Sequence, residues 1–297
     1  MQIPEILNRH ATNFSFEFFP PKTEESSKRL FEAIEELAPL DPCYVSVTYG
    51  AGGTTRELTY ELLLKIKQET DIPVVSHLTC VGASKDEIHE LLKSYWESGI
   101  RNILALRGDP PKGETKFTPP ANGFNNATEL VGFIREKFPR MGIGVAGYPE
   151  GHPETPNRLE EIDNMKKKVD AGADYICTQL FFDNRDFYDY CERCELAGID
   201  IPIIAGIMPV TSKKAMYKMS DLAAGSRIPA KLLKAIYRAE DEEYIENVGI
   251  HWATQQVMDL LDNGVQGIHF YTLNRSDAAV RIYHSLGVTT SRKLREW

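Results

Sequence analysis

The chain has no excess of positive charge, no long apolar run and few cysteines, and each shortage excludes something. Its 34 lysines and arginines are outnumbered by 43 aspartates and glutamates, giving a formal net charge of -9. That balance argues against a general nucleic-acid or anionic-membrane surface, while leaving room for a local basic pocket. The longest apolar stretch, Ile201 to Val210, is broken by Pro202 and Pro209 and falls well short of the roughly 20 residues of a membrane span. The opening MQIPEILNRHATNF lacks the apolar core of a secretion signal. Five cysteines (Cys43, Cys80, Cys177, Cys191 and Cys194) are odd in number and scattered, and read as reduced thiols. The expectation is a cytoplasmic protein with no nucleic-acid and no membrane partner.

What is present is an ordinary globular composition, 42% hydrophobic and 26% charged over 297 residues. That length suits two domains of roughly 150 residues, or one α/β barrel of about 250. Eight β-type runs stand out: Phe14–Phe19, Tyr44–Tyr49, Pro73–Thr79, Asn102–Leu106, Ile143–Tyr148, Tyr175–Leu180, Ile203–Ile207 and Gly267–Tyr271. Helical patterns such as Thr55–Glu69, Lys85–Ser98, Arg158–Ala171 and Asn184–Ala197 separate them, several closing on a glycine. Extra helical sequence, Lys213 to Asn263, precedes the last strand. Eight βα units without a linker predict one domain over residues 1–297, an α/β fold of the (β/α)8 TIM-barrel type, with a doubly wound sheet as the alternative.

A barrel demands chemistry at the C-terminal strand ends. Polar side chains do gather there: Glu17, Thr48, His77, Arg107 and Asp109, Tyr148 and His152, Gln179, Tyr271 and Arg275. Glu17 is the most informative. Alternation puts Ser15 and Glu17 on the face opposite Phe16 and Phe18, and a glutamate inside a barrel needs a purpose or a partner. An apolar surround of phenylalanines would keep it protonated and able to act as an acid. The alternative is a structural ion pair with an arginine inside the barrel.

Other patterns carry less. Gly142-Ile143-Gly144-Val145-Ala146-Gly147 fits G-x-G-x-x-G but lies within a strand, with prolines after it where a dinucleotide fingerprint requires a helix. Gly108 to Gly113 is followed by Glu114 and Thr115, so the Walker Lys-Ser/Thr is missing. Cys191-x-x-Cys194 stands alone, and His77 and His152 lack metal-ligand spacing, so no metal site is expected. Lys166-Lys167-Lys168 is either a solvated helix face or, if one side reaches the rim, a pyrophosphate contact.

In order and spacing, SFEFFPPK, VSVTYGAGG, HLTC, ALRGDPP, YPEGHPE, KKKVDAGAD, TQLFFD, GIMPV and HFYTLNR resemble methylenetetrahydrofolate reductases of the bacterial, barrel-only type, from about Phe14 to Val288. The resemblance implies a (β/α)8 barrel with non-covalent FAD. It implies NADH or NADPH as co-substrate, and ping-pong reduction of 5,10-methylenetetrahydrofolate to 5-methyltetrahydrofolate for methionine synthesis. Control by S-adenosylmethionine is not implied, and a homo-oligomer is expected. The FAD contacts would be Thr48, His77, Leu106, Arg107, Gly108, Asp109, Tyr148, His152, Glu161, Asn164, Lys167 and Lys168. Glu17, Gln179, Tyr271 and Arg275 would serve the folate, with Glu17 as proton donor at N10 and Asp109 as an electrostatic catalytic group. Two positions depart from the family pattern. Asn126 stands where many relatives have a tyrosine contacting FAD, and Ser212 and Lys213 stand where others carry an aromatic that stacks on substrate. The alternative function is a metal- or Schiff-base-dependent barrel lyase acting on a small phosphorylated substrate.

Overall fold

A computed structural model describes residues 1–49, 56–110, 113, 116–223 and 226–295. Eight parallel strands close into a barrel in sequence order: β1 Asn13–Phe18, β2 Tyr44–Val47, β3 Val74–Thr79, β4 Asn102–Leu106, β5 Gly142–Gly147, β6 Tyr175–Thr178, β7 Ile203–Ile207 and β8 Gly267–Tyr271. The (β/α)8 expectation therefore holds, each strand beginning within about a residue of its expected start. The Gly50–Gly53 part of the VSVTYGAGG motif, Thr55, and Pro111, Lys112, Glu114 and Thr115 lie outside the described residues.

The helices are α1 Ile3–Leu7, α2 Glu24–Leu37, α3 Arg56–Glu69, α4 Lys85–Glu97, α5 Ala127–Lys137, α6 Arg158–Asp170, α7 Asn184–Leu196, α8 Lys213–Leu222, α9 Ala230–Arg238, α10 Glu242–Asp262, α11 Asp277–Ser285 and α12 Ser291–Leu294. Among the described residues, no helix is long and apolar enough to cross a membrane. Local chemistry sets the helix ends. Ser84 and Glu87 form a reciprocal capping box at the start of α4, and Gly99, Gly172 and Gly198 follow their helices with positive φ, as the sequence predicts.

Period-two alternation divides each strand between two cores. Outward side chains such as Phe14, Phe16, Phe18, Ile103, Val145 and Ile268 pack beneath the helices with Leu30, Ile34 and Tyr283. Inward ones, including Tyr44, Val75, Leu104, Tyr175 and Ile204, fill the barrel. The N-terminal floor is closed by α1, whose Ile3, Ile6 and Leu7 join that inner core. Asn102 fastens it, accepting from the Ile3 amide at 2.7 Å. This plug gave no sequence signal, because five residues are too short for a periodicity. The glycines of β5 are also explained. A Cβ on Gly144 would lie 2.3 Å from the Tyr175 ring, so the residue is small to admit that ring.

The excursion between β7 and β8 builds a third, smaller core from α8, α9 and the start of α10, with Phe182, Met208, Met216, Leu232, Ile236 and Ile245. It is tied to the mouth by Arg227, which donates to Glu150 Oε2 from its amide at 2.9 Å and from Nε at 2.8 Å, and also pairs with Asp186.

Candidate active site

Glu17 is buried near the C-terminal end of β1, in register with Ser46 on β2 and Tyr271 on β8. Its Oε2 lies 3.4 Å from His77 Nε2 and 3.6 Å from His269 Nε2. The phenylalanine surround expected from the sequence is not what it meets. Phe16 and Phe18 point outward to the helices, so two imidazoles flank the carboxyl. Among the described residues no arginine or lysine pairs with Glu17, which removes the expected alternative of a structural arginine pair. Burial drives His77 down to about 4, so at neutral pH it is an uncharged ring beside the acid. No hydrogen bond closes on its Nε2, and the neighbouring Thr79 hydroxyl at the end of β3 is likewise buried without a partner.

A second cluster lies beside the first, on the β4, β5 and α6 side. Burial, with Glu161 and Asp109 nearby, pushes the Tyr148 phenol up to about 12. Its ring meets His152 edge-on at 4.7 Å, and burial lowers His152. Glu161 Oε2 accepts from the His152 amide at 3.4 Å. Arg107 reaches across to Glu154 on the loop after β5 in a two-pronged ion pair, and its guanidinium sits 5.6 Å from the Phe117 ring. Asp109 is exposed, close enough to favour the Arg107 cation. Gly108 has a φ of 86°, and a Cβ there would fall 2.7 Å from Val81 Cγ2 and 2.8 Å from Thr79 Cβ. The β4 loop thus lies flat on the end of β3, which only glycine permits.

The lysine run separates. Lys166 pairs with Asp170 and exposed Lys167 donates to Asn164 Oδ1 at 3.3 Å. Lys168 turns toward the barrel and donates to the Ala146 carbonyl at 3.3 Å. Burial lowers Lys168, with Glu161 opposing.

Of the residues expected to serve the folate, the Tyr271 hydroxyl donates to the Thr178 carbonyl at 2.7 Å, next to Gln179. Exposed Arg275 lies 3.6 Å from Asp277 and borders a small cleft with Tyr271, Thr211 and Glu246. Thr48, at the end of β2, is held to Phe18 by a backbone bond of 2.9 Å, and Leu106 borders the barrel interior. Both departures from the family pattern are helix caps: Asn126 Oδ1 accepts from Glu129 N at 3.0 Å, and Ser212 Oγ from Ala215 N at 3.0 Å. The Lys213 ammonium stands 5.3 Å from the Tyr237 ring. Cys191 and Cys194 are free thiols pushed up to about 12 and about 11 by burial, which makes thiolate chemistry unfavourable. Among the described residues no group of three or more His, Cys, Asp or Glu is gathered to hold a metal ion.

The residues that sequence reasoning missed are His269, Glu154 and Glu150. His269 was findable, since it lies two residues before Tyr271 and shares its inward face.

The fold and site define a (β/α)8 barrel protein with a buried acid–imidazole cluster at its C-terminal mouth and a cluster of paired charges and aromatic rings beside it. The chain belongs to the methylenetetrahydrofolate reductase family, whose family profile matches residues 2–287. It is 42% identical over 277 residues to the 5,10-methylenetetrahydrofolate reductases of Salmonella typhimurium and Escherichia coli, covering 93% of this chain and 91% of each relative. It is 39% identical over 304 residues to methylenetetrahydrofolate reductase (NADH) 1 of Arabidopsis thaliana, covering 99% of this chain. The chain spans about half the length, 51%, of that plant relative. Among solved structures, an uncharacterized Clostridium thermocellum protein that binds two copies of 5-methyl-5,6,7,8-tetrahydrofolic acid superposes with a TM-score of 0.67 at 20% identity, covering 94% of this chain and 95% of that one. Oxaloacetate acetylhydrolase superposes with a TM-score of 0.53 at 11% identity, covering 99% of this chain and 91% of that one. Both likenesses are to the barrel.

Proposed function

We propose that the chain reduces 5,10-methylenetetrahydrofolate to 5-methyltetrahydrofolate, using a nicotinamide dinucleotide as electron donor and non-covalent FAD as resident cofactor. The observation that carries this reading is Glu17, a carboxyl buried at the mouth with imidazoles and no cationic side chain beside it among the described residues. Such a carboxyl is arranged to handle a proton rather than to hold the fold together.

The second cluster fits FAD by the chemistry of its donors. Lys168 has three donor hydrogens and one protein acceptor in Ala146, so it retains capacity for a pyrophosphate. The Thr79 hydroxyl and His77 Nε2 are buried polar atoms in need of partners. Gly108 packs its backbone directly against Thr79. Thr48, His77, Leu106, Arg107, Gly108, Asp109, Tyr148, His152, Glu161, Asn164, Lys167 and Lys168 would hold the cofactor. When bound, FAD supplies hydride transfer between the nicotinamide and the folate.

The chain's own residues then have distinct tasks. Gln179, Tyr271 and Arg275 bind and orient the folate. Glu17 delivers a proton to N10, directly or through one water, as the imidazolidine ring opens. Opening leaves a cationic N5 iminium, the hydride acceptor. Asp109 offsets that positive charge through space without transferring a proton.

The test is direct. Purified protein should show visible flavin bands and form 5-methyltetrahydrofolate with NADH or NADPH, and the plant relative's name favours NADH. A colourless protein that takes up no added FAD and forms no product with either donor contradicts the proposal.

A further inference from the structure

Ser15, Ser46 and His269 form a polar group on the inner wall of the barrel beside Glu17, Ser46 in register with it and Ser15 and His269 two residues earlier on their strands. Ser15 Oγ lies 2.7 Å from His269 Nδ1, and Ser46 Oγ lies 3.3 Å from His269 Nε2. That same Nε2 is 3.6 Å from Glu17 Oε2. The imidazole plane is fixed as well. Tyr44 stacks on it at 6.0 Å and 16°, and Tyr271 meets it edge-on at 5.4 Å and 82°. The three polar residues share the inner wall with Tyr44, Val75, Leu104 and Ile204. A barrel interior can be filled by aliphatic side chains alone, and buried polar groups are costly unless each is satisfied. Their arrangement therefore calls for a purpose beyond packing.

We infer that His269, clamped between Ser15 and Ser46, is a positioning residue that holds the Glu17 carboxyl in its proton-donating orientation. The inference rests on the role proposed for Glu17. The Ser15 hydroxyl can donate to Nδ1 or accept from it; in the tautomer where it donates, the ring carries its hydrogen on Nε2, the edge that faces Glu17 and Ser46. In either tautomer Ser15 anchors the ring from the edge opposite the nitrogen that faces Glu17. His77 lacks such a clamp on the nitrogen that faces Glu17, since no hydrogen bond closes on its Nε2. Besides the two imidazoles, the titratable groups acting on or acted on by Glu17 are Tyr44 on β2, Cys177 on β6 and Tyr271 on β8. Burial holds all three protonated at neutral pH, so they are dipoles near Glu17, not competing charges.

Ser15→Ala tests this by removing the clamp while leaving both His269 and Glu17 in place. Its kcat for folate reduction should fall by roughly tenfold to 10²-fold, the scale of a misplaced catalytic group, with KM for methylenetetrahydrofolate unchanged. The pH profile of that step should move. The infrared carboxyl band of Glu17, identified by its loss in Glu17→Gln, should titrate at a shifted midpoint. Ser15→Thr keeps the hydroxyl and should restore both readouts. Ser46→Ala, with thermal unfolding followed for every variant, covers the case in which Ser15→Ala fails to fold. In Glu17→Gln/Ser15→Ala the losses should not add, as for residues acting through one group. An unmoved carboxyl titration, or losses that multiply in the double variant, overturns the inference. If Glu17→Gln alone leaves folate reduction intact, the acid assignment fails instead, and the infrared titration still reads the clamp.

Discussion

Glu17 Oε2 and His77 Nε2 approach to 3.4 Å across the mouth of the barrel, joining β1 to β3. In the proposed function this contact joins the residue assigned to folate, Glu17, to one assigned to the cofactor, His77. The His77 ring is held neutral by burial, and this gives a dependence on pH that does not require substrate.

His77 titrates at about 4 in the folded chain against an ordinary 6.5. A depressed value means the unfolded state binds the proton more readily between those limits. Stability from this residue is therefore complete above about pH 6.5 and lost as pH falls toward 4, a loss on the order of 3 kcal/mol. Urea unfolding at pH 7 and pH 5 should show about 2 kcal/mol of that decline, and His77→Gln should flatten it. His10 and His152, also lowered by burial, contribute in the same direction and remain in the variant. An equal decline in both proteins would show that His77 is not its source.

Lys168 and Lys166 make a matched pair for cofactor affinity. Lys168 faces the barrel with one protein acceptor, while Lys166 is paired with Asp170 on the outer face. A charge-assisted hydrogen bond contributes about 1.5–3 kcal/mol, so Lys168→Ala should weaken FAD binding by roughly tenfold or more. Lys166→Ala should leave it unchanged. Fluorescence titration of apoprotein with FAD measures both, and equal affinities for wild type and Lys168→Ala would return this lysine to a structural role.

Asp109 is exposed beside Arg107. Asp109→Asn removes a negative charge near the proposed flavin while preserving shape. Reduced flavin gains electron density, so the midpoint potential should rise and hydride donation to folate should slow. A potential that stays put or becomes more negative would place Asp109 too far from the ring system to act.

The sequence carries the barrel clearly because strand alternation and helix periodicity repeat about every 30 residues. It carries Glu17 for the same reason: inward and outward positions follow from counting. The neighbours of Glu17 are another matter. Phe16 and Phe18 are adjacent in the chain yet face the helices, whereas His77 and His269 arrive from strands 60 and more residues away. Adjacency in the chain is opposition across a strand, so the electrostatic surround could not be read locally. The lysine run is similar, since three identical residues in a row point in three directions on a helix and only the docking of α6 selects Lys168. The α1 plug and the Glu150–Arg227 tie depend wholly on tertiary placement.

Stopped-flow measurement on Glu17→Gln separates acid catalysis from binding most directly. Glutamine preserves volume and hydrogen-bonding capacity but cannot deliver a proton. Flavin reduction by NADH needs no acid at N10, so it should proceed almost as in the wild type. Reoxidation by methylenetetrahydrofolate should slow by roughly 10²–10⁴-fold, the usual worth of a general acid, with folate affinity retained. If both half-reactions fall together, Glu17 serves structure or cofactor placement; if neither falls, the acid lies elsewhere on the rim, and either result contradicts the account.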